Sequence, residues 1–216
     1  MKKALLFCAI ISATHATAAS ILIDFGPTAT PGSSPTWNNF TSTTDASSLA
    51  LSDSTGAPTN YTITLSGGDI NSLSDNTTPP LATYSPFTPA TVQQDSIFQS
   101  DTRTFTLSGL DPSVAYSITF YSYVDRNTSR STDFSIPGYA PLTLEPSGDP
   151  IASDSGGMVG TILSVTPDGS GNIAITVDNN AANWILNGME ITYTIPEPSA
   201  ALLSIFGLLP LLRRRR

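Results

Sequence analysis

Short runs in which apolar residues alternate with Thr or Ser constrain the fold of this 216-residue chain more than any other feature. Residues 61–65 read Tyr-Thr-Ile-Thr-Leu, and residues 116–123 read Tyr-Ser-Ile-Thr-Phe-Tyr-Ser-Tyr. Because successive side chains of a strand point to opposite faces, this period of two predicts strands with one buried and one solvated face. No long segment has the 3.6-residue apolar spacing of a helix. We therefore predict an all-β protein.

The same pattern, bounded by turn residues such as Gly-Pro and Gly-Gly, predicts further strands. They cover residues 21–25, 104–107, 131–136, 158–165, 173–177 and 184–193. A total of about eight to ten strands at this spacing indicates a single antiparallel β-sandwich of the jelly-roll type. Residues 167–172, Pro-Asp-Gly-Ser-Gly-Asn, predict a hairpin turn between two of the strands. The Ser-, Thr- and Pro-rich segments 28–60 and 71–91 are predicted to be long surface loops.

The first 19 residues have the pattern of a secretory signal peptide. Lys2 and Lys3 precede the apolar stretch 4–11, and residues 16–18 read Ala-Thr-Ala, which is a small-x-small cleavage site. We therefore predict that signal peptidase cleaves the chain and that the protein is exported. Residues 20–195, called the body below, are predicted to form the sandwich domain.

The body has no cysteine, histidine or lysine, because Cys8, His15 and both lysines lie within the predicted signal peptide. Disulfides, thiol nucleophiles, Ser-His-Asp triads and His/Cys zinc sites are thereby excluded from the body. A glycoside hydrolase that uses two carboxylates is harder to exclude, but Glu145 and Glu190 are the only glutamates in the body. We predict a protein that is not an enzyme.

The charge of the body limits its partners. It carries 16 acidic residues, which are all 17 of the chain except Glu197, against three arginines, a net charge of −13. Such a surface repels phosphate backbones, so we expect no nucleic-acid partner. Carboxylate oxygens bind calcium, and Glu145, Asp149 and Asp154 share one loop. They are weak calcium candidates, because no Asp-x-Asp-x-Asp-Gly pattern accompanies them; otherwise we predict no metal and no cofactor.

Two groups of polar and aromatic residues are candidates for ligand binding. Trp37, followed by Asn38 and Asn39, lies in a predicted loop, where its ring would stack on a sugar while the amides bind hydroxyl groups. The alternative is that Trp37 plugs the end of the sandwich. Arg126 and Arg130 follow the long central strand, in a predicted loop where ligand contacts are common. The alternative is that these arginines pair with nearby aspartates.

The carboxyl end has three blocks in a fixed order. Pro196, Glu197 and Pro198 are followed by the apolar residues 199–212 and by four arginines at 213–216. As a helix, the apolar block spans about 21 Å, which is short of a bilayer core. This tail resembles the PEP-CTERM sorting signal of Gram-negative bacteria, which implies processing by exosortase and a transient hold in the inner membrane. A permanent single-span anchor is the alternative.

The body also resembles a known group of domains. Leu110-Asp111-Pro112 with Tyr116 is similar to the tyrosine corner of many sandwich domains, in which the hydroxyl binds the loop backbone. Residues 24–26, 171–175 and 184–191 resemble the opening strand and closing hairpin of galactose-binding-like and malectin-like jelly rolls. In that resemblance Trp184 and Asn187 are expected to have packing and turn-bonding roles.

Three functions are compatible with these features. The first is a non-catalytic surface or matrix protein associated with exopolysaccharide, since the resemblance of the tail implies a bacterium that makes such polymers. The second is a structural spacer without a ligand. The third is the carboxylate-based hydrolase. The first is our prediction, with localisation in the periplasm, at the outer surface or outside the cell.

Overall fold

In the computed structural model the described residues are 17–28, 35–74, 85–124, 130–145, 158–179 and 182–195. Contacts divide the chain into two units. One is Ala19–Tyr193, and the other combines both chain ends, Met1–Ala18 and Thr194–Arg216. The first unit is a β-sandwich, whereas only residues 17, 18, 194 and 195 of the second are described.

Fourteen strands and one short helix form within these described ranges. In chain order they are β1 Thr17–Phe25, β2 Trp37–Phe40, β3 Ser48–Ser52, β4 Pro58–Ser66, β5 Asn71–Leu73, α1 Ala90–Gln94, β6 Ser96–Gln99, β7 Arg103–Ser108, β8 Tyr116–Tyr121, β9 Thr132–Ser135, β10 Leu142–Leu144, β11 Val159–Val165, β12 Ile173–Asn179, β13 Trp184–Leu186 and β14 Gly188–Ile195. The helix has five residues, and no helix in the described part of the chain is long and apolar enough to cross a bilayer. The apolar block 199–212 lies outside the described residues.

The strands form a five-stranded sheet in the order β11-β8-β14-β1-β2, a six-stranded sheet in the order β10-β9-β12-β7-β4-β3, and a three-stranded sheet in the order β13-β6-β5. The strands of the second and third sheets pair antiparallel. In the first sheet, β1 and β2 run parallel, with Leu22 opposite Trp37. The prediction of an all-β sandwich is confirmed.

The core fills the space between the two large sheets and contains the apolar members of the alternating runs. Ile63 and Leu65 on β4 and Ile118 and Phe120 on β8 are fully buried. On the outer face of the six-stranded sheet, the residues that alternate with core residues on β4, β7 and β12 are small and polar or are alanine. They are Asn60, Thr62, Thr64, Ser66, Thr104, Thr106, Ser108, Ala174, Thr176 and Asp178. The two-residue period of the sequence therefore corresponds to the buried face and the outer face of this sheet.

Four predictions about the chain path are wrong. The predicted loops 28–60 and 71–91 contain β2, β3, β5 and the start of β4, because short Ser- and Thr-rich strands pair with better apolar neighbours. The turn at 167–172 forms, but β11 and β12 on either side belong to different sheets, so it is not a hairpin. The predicted strand 184–193 is divided at Asn187 into β13 and β14, and the strands number more than eight to ten.

A second apolar cluster lies outside the sandwich core. Residues 85–95, called the cover segment below, place Phe87 and Val92 against Leu22, Trp37 and Tyr121 on the outer face of the five-stranded sheet. The ring of Phe87 stacks on Tyr121 with centroids 5.4 Å apart. The five-stranded sheet is therefore buried on both faces beneath this segment.

The first and last strands of the sandwich lie side by side. The amide of Phe25, at the end of β1, donates a 2.8 Å hydrogen bond to the main-chain oxygen of Asn187, just before β14. Since β14 and β1 are neighbours in the sheet order, this bond places the start of β14 beside the end of β1. Further along, Gly188 pairs with Tyr121 and Tyr193 pairs with Tyr116. Residues 185–188 therefore lie at the opposite end of the sandwich from Tyr193.

Candidate functional site

A small pocket at one end of the sandwich contains one of the predicted ligand-binding residues. Its volume is about 90 Å³, and we call it the Arg130 pocket. It is lined by Leu73, Phe98, Val124, Arg130, Asn183 and Ile185. Four of these side chains are apolar and two are polar, which is the composition typical of small-ligand sites.

The three-stranded sheet supplies the apolar floor of this pocket. Ile185 on β13 lies opposite Phe98 on β6, and Leu73 lies on the same face of neighbouring β5. Because side chains alternate, the residues between them, such as Ile97 and Leu186, point into the sandwich core and are fully buried. This sheet therefore closes the end of the core on one side, and its other side carries the partly exposed Leu73 and Phe98 beside Ile185, which is 1% exposed.

Hydrogen bonds hold the floor in place. The Thr132 hydroxyl accepts a 2.9 Å bond from the amide of Ile185, and the Ser122 hydroxyl donates a 2.5 Å bond to its carbonyl oxygen. The indole of Trp184 donates a 2.8 Å bond to the carbonyl oxygen of Asp101. Arg130 precedes Thr132 by two residues, so the strand that fixes the floor also brings in the guanidinium. Such fixed geometry lowers the entropy cost of binding.

The two polar side chains of the pocket differ in their hydrogen-bonding capacity. Arg130 offers only donors and is charged at all physiological pH values, whereas the amide of Asn183 both donates and accepts. A volume of about 90 Å³ corresponds to roughly three water molecules. The pocket therefore places a guanidinium and an amide beside an apolar floor.

Trp37 and Asn38 are not in a loop, and this part of the sequence prediction is wrong. Trp37 is only 5% exposed, lies on β2, and has its ring centroid 6.1 Å from that of Phe87 in the cover segment. Asn38 Nδ2 donates to the carbonyl oxygens of Leu22 and Ser52 at 2.9 and 2.8 Å, and its Oδ1 accepts from the amide of Ser52 at 2.7 Å. These bonds link β2 to β1 and to β3, so Asn38 is structural, and the cover segment covers the Trp37 ring.

The other predicted ligand and metal residues have different outcomes. Asn39 also lies on β2 and is partly exposed, and Arg126 lies outside the described residues. Glu145 is exposed just after β10, whereas Asp149 and Asp154 are outside the described ranges. No three His, Cys, Asp or Glu side chains in the described part of the chain are grouped so as to hold a metal ion. The calcium hypothesis therefore gains no support from the described residues.

The structural roles expected for three residues are found. The amide of Asp111 donates a 3.0 Å hydrogen bond to the hydroxyl of buried Tyr116, as in a tyrosine corner, and burial raises the pKa of that hydroxyl. Trp184 and Asn187 are both fully buried. The amide of Tyr123 donates a 2.6 Å bond to Asn187 Oδ1.

A pair of buried carboxyl groups was not foreseen from the sequence. Asp24 and Asp95 are each 1% exposed. Burial, followed by the negative charge of Asp24, raises the pKa of Asp95 to about 7. The available signal was the position of Asp24 within the otherwise apolar run 21–25, where it alternates with core residues and faces the cover segment. By contrast, Glu190 is half-buried on β14, and burial alone raises its pKa.

Comparison with known proteins gives structural likenesses only. No protein-family model matches the chain, and no curated protein matches it. Among solved structures, a plant complex of the peptide RALF23 with FER and LLG2 superposes with a TM-score of 0.46 and 14% identity, covering 82% of this chain and 40% of that chain. The ANXUR1 extracellular domain from Arabidopsis thaliana gives 0.43 and 11%, covering 71% and 54%. The chain thus spans about half the length of these plant proteins.

A further likeness is to the structure of TmCBM61 in complex with beta-1,4-galactotriose. The TM-score is 0.32 at 15% identity, covering 64% of this chain and 90% of that chain.

Proposed function

We propose that this protein is an exported, non-catalytic surface or matrix protein that binds carbohydrate through the Arg130 pocket. The proposal rests on one observation: at the end of the sandwich, the guanidinium of Arg130 and the amide of Asn183 lie beside an apolar floor. A sugar presents apolar C–H groups and hydroxyl groups together, and this pocket matches both. Each hydroxyl bond contributes about 0.5–1.5 kcal/mol net. We expect a dissociation constant of about 0.1–1 mM, strengthened by many copies on a surface.

The absence of catalysis is part of the proposal, and three observations support it. The body lacks histidine, cysteine and lysine. The buried carboxyl pair, Asp24 and Asp95, is only 1% exposed and so is closed to a polymer substrate. Glu190 lies on β14 and Glu145 is exposed after β10, so the two glutamates of the body lie on different elements.

Export and sorting complete the proposed function. Signal peptidase would remove residues 1–19, the block 199–212 would hold the chain briefly in the inner membrane, and exosortase would act at Pro196, Glu197 and Pro198. The order of these blocks in the sequence supports this assignment. The mature protein would then reside at the outer surface or outside the cell.

The binding proposal is tested by titrating the full chain with exopolysaccharide from its host and measuring heat or fluorescence. Arg130→Ala and Asn183→Ala should each weaken binding about threefold to tenfold, as expected for one lost hydrogen bond. Asn60→Ala is the matched control, because Asn60 is exposed on β4, on the outer face of the six-stranded sheet, and should leave affinity unchanged.

Equal binding by all variants would remove the Arg130 pocket from the proposal. If the wild type binds no polysaccharide, the structural spacer becomes the better function. The small polar side chains on the outer face of the six-stranded sheet would suit such a spacer.

A further inference from the structure

The cover segment keeps a cluster of aromatic rings out of water. Phe87 packs between Tyr121, at 5.4 Å, and Trp37, at 6.1 Å between ring centroids. Phe87 and Val92 also lie so close to Gly188 that a Cβ atom there would come within 2.8 Å of the Phe87 ring. If residues 85–95 lift from the sheet, the Trp37 and Phe87 rings meet solvent.

Asp95 fastens the carboxyl end of the cover segment. Its main-chain oxygen accepts a 2.6 Å hydrogen bond from Asn187 Nδ2, and its amide donates to the oxygen of Thr91 at 3.2 Å. Its side-chain Oδ2 accepts a 2.7 Å bond from the amide of Thr28, just after β1. The carboxyl group rests on the Cα of Gly26, where any Cβ atom would overlap it. Backbone and side chain of Asp95 therefore both attach the segment to the sandwich.

The surroundings of the Asp95 carboxyl oppose a negative charge. The residue is 1% exposed, and Oδ1 has no hydrogen-bond partner among the described residues. The adjoining β1 contributes the carboxyl of Asp24, whose charge adds to the effect of burial. The turn at 26–28, the amide of Asn187 and the rest of the cover segment contain no titratable side chain. An isolated charge in such a site is costly, so the group retains its proton up to a pKa of about 7.

We propose that Asp95 makes a pH-sensitive contact: its protonated form keeps residues 85–95 closed on the five-stranded sheet, and its ionisation loosens that segment. This inference is independent of the Arg130 pocket. When the segment lifts, the carboxyl group reaches water and ionises freely. The closed state binds a proton that the open state releases, so proton release and opening are linked.

The linkage between proton release and opening determines the direction of the pH effect and the pH range in which it occurs. In the closed state the pKa of Asp95 is about 7, against an ordinary value of 3.8 in the open state. Between these values each unit of rising pH should increase the opening equilibrium constant about tenfold. Above about pH 7 both states are ionised, and the constant should stop changing.

Hydrogen exchange on the full chain tests this inference. The amide of Thr28 reports opening, because it donates to Asp95 Oδ2 across the contact between the segment and the sandwich, and the amide of Ile118 on β8 serves as the core reference. Rates are divided by their intrinsic values from pH 5 to pH 8.5. The wild-type opening constant should rise about tenfold per unit up to about pH 7. In Asp95→Asn, which resembles the protonated acid, it should be independent of pH.

Asp178→Asn is the matched control, because Asp178 is exposed on β12 and should leave the wild-type pH dependence intact. A wild-type opening constant that does not change with pH, or the same rise in Asp95→Asn, would overturn the inference. If Asp95→Asn does not fold, carbon-13 NMR of the wild-type Asp95 carboxyl decides the question. A titration midpoint near pH 7 together with increased exchange in the segment supports the proposed role of Asp95, and a midpoint near pH 4 overturns it.

Discussion

Asn187 Nδ2 donates a 2.6 Å hydrogen bond to the main-chain oxygen of Asp95, although the two residues are 92 positions apart in the chain. Asn187 Oδ1 accepts an equally short bond, 2.6 Å, from the amide of Tyr123. One buried side chain thus joins the cover segment, the end of β8 and the break between β13 and β14. Its loss would leave two buried backbone groups without these bonds.

We predict that Asn187→Ala lowers the free energy of unfolding by about 2–5 kcal/mol, since each buried backbone group left unsatisfied costs about 1–3 kcal/mol. Urea denaturation of the two proteins measures the difference. Asn60→Ala, at an exposed position on β4, is the control and should change stability by less than about 0.5 kcal/mol. Equal effects of the two substitutions would contradict the joining role of Asn187.

The second prediction concerns stability and pH. Because the folded-state pKa of Asp95 is about 7, against an ordinary 3.8, folding favours its protonated form. This contribution is fully present below about pH 3.8 and is lost as pH rises to about 7, at up to about 1.4 kcal/mol per unit. Asp95→Asn should remove that decline in a series of urea denaturations, and Asp178→Asn should retain it. A parallel decline in Asp95→Asn would contradict the assignment.

Three aspartates in turns change stability with pH in the opposite direction to Asp95, and they do so at lower pH. Hydrogen bonds hold the pKa values of Asp53, Asp111 and Asp168 below their ordinary range. Their stabilising bonds are present above that ordinary value and are lost as pH falls through the lowered values. The combined contribution of these four carboxyl groups to stability should therefore be largest near pH 4–5, where the three turn carboxylates are ionised and Asp95 is still protonated.

The third prediction tests the tyrosine corner. Tyr116→Phe keeps the ring, with its neighbours Tyr61 and Tyr193 at 6.4 and 5.3 Å, but removes the oxygen that accepts from the amide of Asp111. We expect a loss of about 1–3 kcal/mol in urea denaturation. The amide of Asp111 should also exchange faster with solvent. An unchanged exchange rate at Asp111 would show that the hydroxyl is dispensable.

The fourth prediction compares two glycines in one turn. Gly171 has φ +78°, and a Cβ atom there would overlap the carbonyl oxygen of Leu110. Nothing lies within 4 Å of the corresponding position at Gly169. Gly171→Ala should therefore cost about 2–4 kcal/mol, from strained backbone and displaced neighbours, whereas Gly169→Ala should lie within about 1 kcal/mol of the wild type. Similar melting temperatures for the two variants would refute the difference.

The fifth prediction concerns the carboxyl end of the chain. If exosortase processes the tail, mass spectrometry of protein from the host surface should find a carboxyl terminus near Pro196–Pro198. Replacing the three residues 196–198 with alanine should leave residues 199–216 attached. A surface form of the wild type that still ends in Arg216 would instead indicate a permanent anchor.

The strongly alternating strands were predictable from the sequence because their period of two directly reflects a buried and a solvated face. Strand β2 was not, since Trp37 and Phe40 are separated by two asparagines and follow a Pro- and Ser-rich segment. Its burial comes from pairing with β1 and from residues 85–95, which are more than 40 positions away in the chain. The turn at 167–172 was recognised, but turn chemistry does not specify whether the flanking strands pair with each other.

The candidate site was predictable only in part. Arg130 was selected because it follows a long strand, and the structure places it in a pocket. The apolar floor comes from β5, β6 and β13, which are short and separated in sequence, so no local pattern brings Leu73, Phe98 and Ile185 together. Asp95 lacked any local signal, because its burial depends on the distant residues Gly26 and Asn187.

The antiparallel course of β8 and β14 has a consequence for how the molecule is displayed. The Arg130 pocket lies near the Tyr121–Gly188 end of this pair, and the chain leaves the sandwich beyond the Tyr193–Tyr116 end, about 20 Å away. If the pocket binds a polymer, as proposed, the bound polymer would lie at the opposite end of β14 from the end at which the chain continues to residue 195.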